Sequence, residues 1–214
     1  SEVSYINKIV KEVSQRVKIH DDIGYSVGID ERVDEITQLL ALEDNGNVRI
    51  VCLYGMDGIG KTTLAKAVRN RISGNFDAYS FLEMRNKKKE DLCSCQMRLL
   101  EDILEYREDI TLVSSGKALL RRRLPCKKAL IILDDVNRVD QMDALAGDPG
   151  WFGPGSRIIM TAPSPAMTTY LTRKWVHNVY KVKILNEEHS LELLSYHAKG
   201  NQSEPGYEDL LKDV

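Results

Sequence analysis

The sequence predicts an α/β protein built on a doubly wound parallel sheet, and three observations predict it. Short, nearly continuous apolar runs recur along the 214 residues, and segments with helical spacing separate them. The first run, "VRIVCLY" (48–54), also passes through the glycine-rich "GMDGIGKTT" (55–63) straight into a helical pattern. β-Branched runs without alternation mark strands buried on both faces. Strands alternating with helices imply βαβ units with right-handed crossovers.

The elements follow in order. In "EVSYINKIVKEVSQRVKI" (2–19), Val3, Ile6, Ile9 or Val10, Val13 and Val17 fall at helical spacing, predicting an amphipathic helix ahead of the loop "HDDIGYS". With Ser1 rather than Met at the start, residues 1–24 read as a connector from an upstream domain. "DERVDEITQLL" repeats Val33, Ile36, Leu39 and Leu40, with Asp30 as the expected N-cap, and "NGN" breaks the pattern. After the glycine-rich loop, Leu64, Ala65, Val68 and Ile72 form the apolar stripe of the next helix. Later strands are predicted at "YSFLEM" (79–84), "ALIILD" (129–134), "SRIIMT" (156–161) and "VYKVKI" (179–184). Between them, Leu92, Leu99, Leu100, Ile103 and Leu104 mark one helix and Ala118 to Leu124 another.

Composition excludes several function classes. Hydrophobic residues make up 43% and charged residues 29%, an ordinary globular balance with enough chain for one sizeable core. A net charge of −2 implies no global pull toward nucleic acid or an anionic membrane. Two basic clusters, "RNKKK" (85–89) and "RRR" (121–123), lack the interleaved aromatics of a strand-tracking groove and read as solvated faces. Nucleic acid is therefore not an expected partner. Cys52, Cys93, Cys95 and Cys126 show no C-x-x-C spacing and read as reduced thiols of the cytosol. His189 and His197 have no acidic or thiol companion at ligand spacing and read as surface residues. The absence of a signal peptide and of any run of about 18 apolar residues points away from a membrane. A cytoplasmic setting is expected, with the nucleus also open.

Two motifs carry chemistry. Gly55, Gly60, Lys61 and Thr62 satisfy G-x-x-x-x-G-K-[ST], placed between a strand and a helix as that motif requires. Glycines let successive backbone N–H groups curl around phosphate oxygens, and the positive end of the following helix faces the same anion. Lys61 is suited to bridge the terminal phosphates, and the Thr62 hydroxyl to ligate Mg²⁺. The second motif is "KKALIILDDVNRVDQ", which puts Asp134 and Asp135 at the carboxyl end of a strand beside that loop. Mg²⁺ is commonly held by one carboxylate plus phosphates, which suits Asp134. Asp135 then remains to orient or deprotonate an attacking water.

Five segments in order, "GMDGIGKTTLAKAVRNRI", "FDAYSFLEM", "LIILDDVNRVDQMDALAG", "WFGPGSRIIMTA" and "YKVKILNEEHSLELLSYHA", resemble the nucleotide-binding (NB-ARC) region of plant NLR, or NBS-LRR, disease-resistance proteins. The resemblance spans about residues 25 to 200. Asn137 stands where the coiled-coil branch of that family usually has Trp, which leans toward the TIR-bearing branch. It implies a P-loop nucleotide-binding domain over 25–184, the beginning of a helical ARC subdomain over 185–214, and a STAND-type ATP/ADP switch. ADP would lock the resting state, and exchange for ATP would free the receptor to form a homo-oligomer. Implied partners are an upstream TIR-like domain and downstream ARC and leucine-rich-repeat domains. Val27 and Gly28 match the segment that meets adenine. Gly58, Ile59, Gly60, Lys61, Thr62 and Thr63 match the phosphate loop, Asp134 with Thr62 the Mg²⁺ ligands, and Asp135 the catalytic acid.

Two departures bear on turnover. Where the family runs into "TTR", whose arginine reaches the terminal phosphate, this chain has Ala162 and Pro163. Proline has no charge or side-chain donor to replace a guanidinium. Arg157 lies early in the strand, far from its carboxyl end, and nothing in the sequence requires Arg173 to fold back. The chain also ends at Val214, before the family's "GLPL" and "MHD" segments. A switch with at most weak ATPase activity is thus the expected function. An efficient ATPase given an arginine by a neighbouring subunit, or a scaffold that binds no nucleotide, are the alternatives.

Overall fold

The computed structural model describes residues 23–105, 107–164 and 178–199. The helix expected over 2–19, Arg173 and everything after 199 lie outside the described residues. The helices are α1 (Ile29–Leu40), α2 (Lys61–Ile72), α3 (Leu92–Leu104), α4 (Val113–Arg123), α5 (Val139–Leu145) and α6 (Glu187–Lys199). The strands are β1 (Arg49–Tyr54), β2 (Ala78–Glu83), β3 (Ala129–Asp134), β4 (Arg157–Ala162) and β5 (Asn178–Lys181). They pair in parallel in the order β2-β3-β4-β1-β5.

The apolar runs are unbroken because both faces of the sheet are covered. On one face Ile50, Cys52, Ile131, Leu133, Ile158 and Met160 pack against α3, α4 and α5. On the other, Val51, Leu53, Leu130, Ile132 and Ile159 meet α1 and α2. Every residue of β3 and β4 is buried. Burial pushes the Cys52 thiol up to about 12, so it stays protonated, and all four cysteines are free.

Strand boundaries differ from the periodicity by at most one residue, except at β5. There the ladder ends at Lys181, and only the Val182 N–H still reaches the Tyr54 carbonyl, at 2.9 Å. The cap of α1 also differs. Gly28, at φ 60°, occupies the N-cap, and Asp30 sits in the first turn, paired with Arg71 instead of capping. Apolar spacing fixes where a helix runs but leaves its first residue open.

Contacts along β5 set the direction of α1. Asn178 Nδ2 donates to the Leu39 carbonyl at 3.3 Å, the Tyr180 hydroxyl to Glu35 at 2.6 Å, and Arg32 Nη2 to the Ile184 carbonyl at 3.2 Å. Burial pushes the Tyr180 phenol up to about 12, and its hydrogen bond holds the Glu35 carboxyl below the usual range. The helix therefore runs antiparallel to the strands. Its start, at Gly28, lies at the carboxyl edge of the sheet, where β1 delivers the glycine-rich loop.

Candidate functional site

The loop after β1 is shaped by its glycines. A Cβ on Gly55 would stand 3.2 Å from Ile59 Cγ2 and 3.5 Å from Val182 Cβ, so a side chain there would press on Ile59. Gly58 and Gly60 take φ of 79° and 96°, which side-chain-bearing residues adopt at a cost, and the space around both is open. Ile59 N–H closes the turn onto the Met56 carbonyl at 3.3 Å, and Gly60 is the N-cap of α2. No side chain caps that end, and no acidic residue lies in its first turn. The N-terminus of α2 thus keeps its positive character toward the loop.

Lys61, the first residue of α2, turns its ammonium back into the loop. Nζ donates to the Gly55 and Met56 carbonyls, each at 2.8 Å, and lies 3.5 Å from the Asp57 carboxylate. Thr62 points across the sheet, its hydroxyl 2.8 and 3.0 Å from the two carboxylate oxygens of Asp134. Thr63 follows, half-buried.

The expected adjacency of the loop and the acidic pair is realised through an intermediary. β4 lies between β1 and β3, and Thr161 of β4 bridges the gap. Its hydroxyl donates to Asp134 Oδ1 at 2.7 Å and accepts the Asp135 N–H at 2.7 Å. Asp134 is buried, with two hydroxyls on its carboxylate. Asp135 is held at φ 60°, a left-handed conformation rare for a non-glycine residue. Its carboxylate meets Arg85 Nε at 2.9 Å. Sequence reasoning missed both Thr161 and Arg85. A lone hydroxyl late in the apolar run "RIIMT" is the signal for Thr161. Arg85 was hidden in a basic cluster whose lysines, Lys87 to Lys89, are exposed as expected.

Val27 and Gly28 reach the same sheet edge from the far side of β5. Val27 is half-buried. A Cβ on Gly28 would come within 2.6 Å of His189 Nδ1, so the imidazole, read above as a surface group, packs directly on this glycine. Tyr25 and Tyr196 stack with ring centroids 3.8 Å apart, and the Tyr25 hydroxyl bonds Glu192, fastening α6 over residues 23–28.

The donor set fits a bound nucleoside phosphate with a divalent cation. The open glycine cradle and Lys61 suit phosphate oxygens, and the Thr62 hydroxyl with Asp134 suits a hard cation. Among the described residues no cluster of three or more His, Cys, Asp or Glu is placed to hold a metal. Magnesium would rest on one carboxylate, one hydroxyl and phosphate, its usual preference. No helix of the described residues is long and apolar enough to cross a membrane. An open groove lined by Asp44, Arg49, Phe152 and Pro154 lies at the opposite, amino edge of the sheet, away from all these groups.

Comparison with known proteins gives concordant matches. The NB-ARC domain model matches residues 29–204. The chain is 35% identical over 216 residues to disease resistance protein RPV1 of Vitis rotundifolia, covering 98% of this chain and 15% of that protein. It is 36% identical over 208 residues to TMV resistance protein N of Nicotiana glutinosa, covering 92% of this chain and 18% of that protein. The chain thus spans less than a fifth of the length of these two relatives. Among solved structures, Cdc6p from Pyrobaculum aerophilum superposes with a TM-score of 0.62 at 14% identity, over 86% of this chain and 55% of that one, a likeness of fold.

Proposed function

Because the chain belongs to the NB-ARC domain family, we propose that it is the ATP/ADP-binding switch of a plant intracellular immune receptor, governing defence signalling by nucleotide exchange with slow hydrolysis. The observation that carries this is the convergence of Lys61, Thr62, Asp134 and Thr161, from three different strand ends, onto one edge of the sheet. In this reading the loop from Gly58 to Thr63 holds the phosphates, Thr62 and Asp134 hold Mg²⁺, and Val27 with Gly28 meets the adenine. The cation supplies charge neutralisation at the phosphates. Lys61 exchanges loop carbonyls for phosphate oxygens, and Asp135 is the residue placed to accept a proton from water. Residues 25–184 form the nucleotide-binding domain, and α6 begins the adjoining helical subdomain. The upstream TIR-like domain, the repeats, a cytoplasmic setting and assembly of copies on activation belong to the same proposal.

The test is direct. Millimolar ATP or ADP with Mg²⁺ is expected to raise the melting temperature. Ligand at about a hundred times its dissociation constant stabilises by about 2.7 kcal/mol, which is roughly 5–10 °C for a chain of this size. Denaturing the purified protein and chromatographing the supernatant identifies any nucleotide carried along. A folded sample that shows no shift and carries no nucleotide excludes the switch.

Position 163 supports the slow-hydrolysis part. Ala162 pairs with Tyr54, the residue before the loop, so Pro163 stands where β4 leaves the sheet beside that loop. Arg157 is buried at the other end of β4 and does not substitute. Pro163→Arg is expected to tighten ATP relative to ADP, since only ATP offers a γ-phosphate and a charge-assisted hydrogen bond contributes about 1.5–3 kcal/mol. Dissociation constants for both nucleotides in both proteins check this. A ratio unmoved by the substitution means that residue 163 does not face the phosphates.

A further inference from the structure

The ion pair between Arg85 and Asp135 joins the turns that follow β2 and β3, and its surroundings are built to keep it in place. The ladder between β2 and β3 continues past its last paired residues, with the Met84 N–H on the Asp134 carbonyl at 2.7 Å. Residues 84–87 then turn sharply, closed by the Lys87 N–H on the Met84 carbonyl at 3.1 Å, with Asn86 at φ 58°. The buried amide of Gln141 fixes this turn against the acidic loop. Its Nε2 donates to the Met84 carbonyl at 3.0 Å, and its Oε1 accepts the Asn137 and Arg138 N–H groups at 3.0 and 3.2 Å. Arg85 therefore stands opposite Asp135 by construction. The Arg85 side chain itself is 66% exposed, that of Asp135 only 19%.

We propose that Arg85 is a positioning residue that restrains Asp135 and keeps hydrolysis of bound ATP slow. This role rests on the switch reading above. In hydrolysis a water oxygen attacks the γ-phosphorus and the bond to the β,γ-bridging oxygen breaks. The water's proton passes to the Asp135 carboxylate and on to solvent, leaving ADP and orthophosphate. The guanidinium opposes this in two ways. It occupies Oδ2, so one of the two carboxylate oxygens is not free to orient the attacking water. It also draws the carboxylate toward β2, at the edge of the sheet, whereas Lys61 and Thr62 follow β1 on the far side of β4. An exposed guanidinium makes such a restraint weak and reversible, as a switch requires, because solvent and salt compete with the pair.

The test uses single-turnover hydrolysis of prebound ATP. Arg85→Ala is expected to raise the rate roughly two- to fivefold, the span an exposed ion pair supports. Arg85→Lys should stay near the parent rate, and adding Asp135→Asn should abolish the gain. Raising ionic strength should speed the parent and leave Arg85→Ala unmoved. A readout without turnover accompanies these: in the nucleotide-free chain, the Nε–Hε resonance of Arg85 should shift on Asp135→Asn, while melting temperature and ADP affinity stay constant in Arg85→Ala. Equal rates in the parent and Arg85→Ala, or a slower variant restored by lysine, overturn the restraint and leave the switch standing. A folded parent that binds neither ADP nor ATP overturns both.

Discussion

Lys61→Arg is expected to weaken nucleotide binding about ten- to a hundredfold while leaving circular dichroism and melting temperature near those of the parent. The ammonium fits between two loop carbonyls at 2.8 Å, with its side chain only 8% exposed. That enclosure suits a compact point charge with three rotatable donors. A planar guanidinium fork is too wide for it and presents its donors at other angles. Losing one charge-assisted hydrogen bond to phosphate costs about 1.5–3 kcal/mol, which sets the range. Preserved folding follows because the packing of α2 is carried by Leu64, Ala65, Val68 and Ile72, none of which the substitution touches. Titration of ATP and ADP by calorimetry checks this, and equal affinities in both proteins would remove Lys61 from the site.

Much of this architecture was legible in the residues. Apolar runs located β1, β3 and β4 to within a residue because those strands are buried on both faces, where the pattern is least ambiguous. Edge strand β5 was overextended, because "VYKVKI" alternates as a strand does whether or not a partner continues beside it. The loop from Gly55 to Thr63 followed from local spacing, and its approach to Asp134 from where a doubly wound sheet puts the ends of its strands. Thr161, Gln141 and Arg85 did not. Each acts through a partner more than twenty residues away in sequence, and periodicity holds no record of which strands become neighbours. The left-handed backbone of Asp135 is equally unreadable, since its N–H is held by a hydroxyl on another strand. Placing β4 between β1 and β3 is the single topological fact that turns two adjacent-looking motifs into a three-strand site.

Arg157→Met is expected to destabilise the fold by about 3 kcal/mol or more, lowering the melting temperature by roughly 6–12 °C. Arg157 is fully buried at the start of β4, yet among the described residues no carboxylate bonds it directly. Its guanidinium donates instead to five backbone carbonyls: Leu40, Ala41, Asp44 at 2.6 Å, Asn47 at 2.9 Å and Ser156 at 3.0 Å. Burial lowers its pKa, with the nearby Asp44 carboxylate opposing that shift, but a guanidinium remains charged. Two of the acceptors lie at the end of α1, which closes on Ala41 in a left-handed turn at φ 44° without a glycine. A cation there satisfies orphan carbonyls and meets the negative end of the helix dipole. Methionine matches the length of the stem but would leave those carbonyls buried and unpaired. Arg157→Lys should recover part of the loss, since three donors replace five. Nucleotide affinity, measured below the melting transition, should survive in both variants, because this residue sits at the edge of the sheet opposite the phosphate loop. Loss of binding without loss of stability would instead mean that Arg157 supports the phosphate loop through the sheet, and an unchanged melting temperature would mean that α1 is held by its apolar face alone.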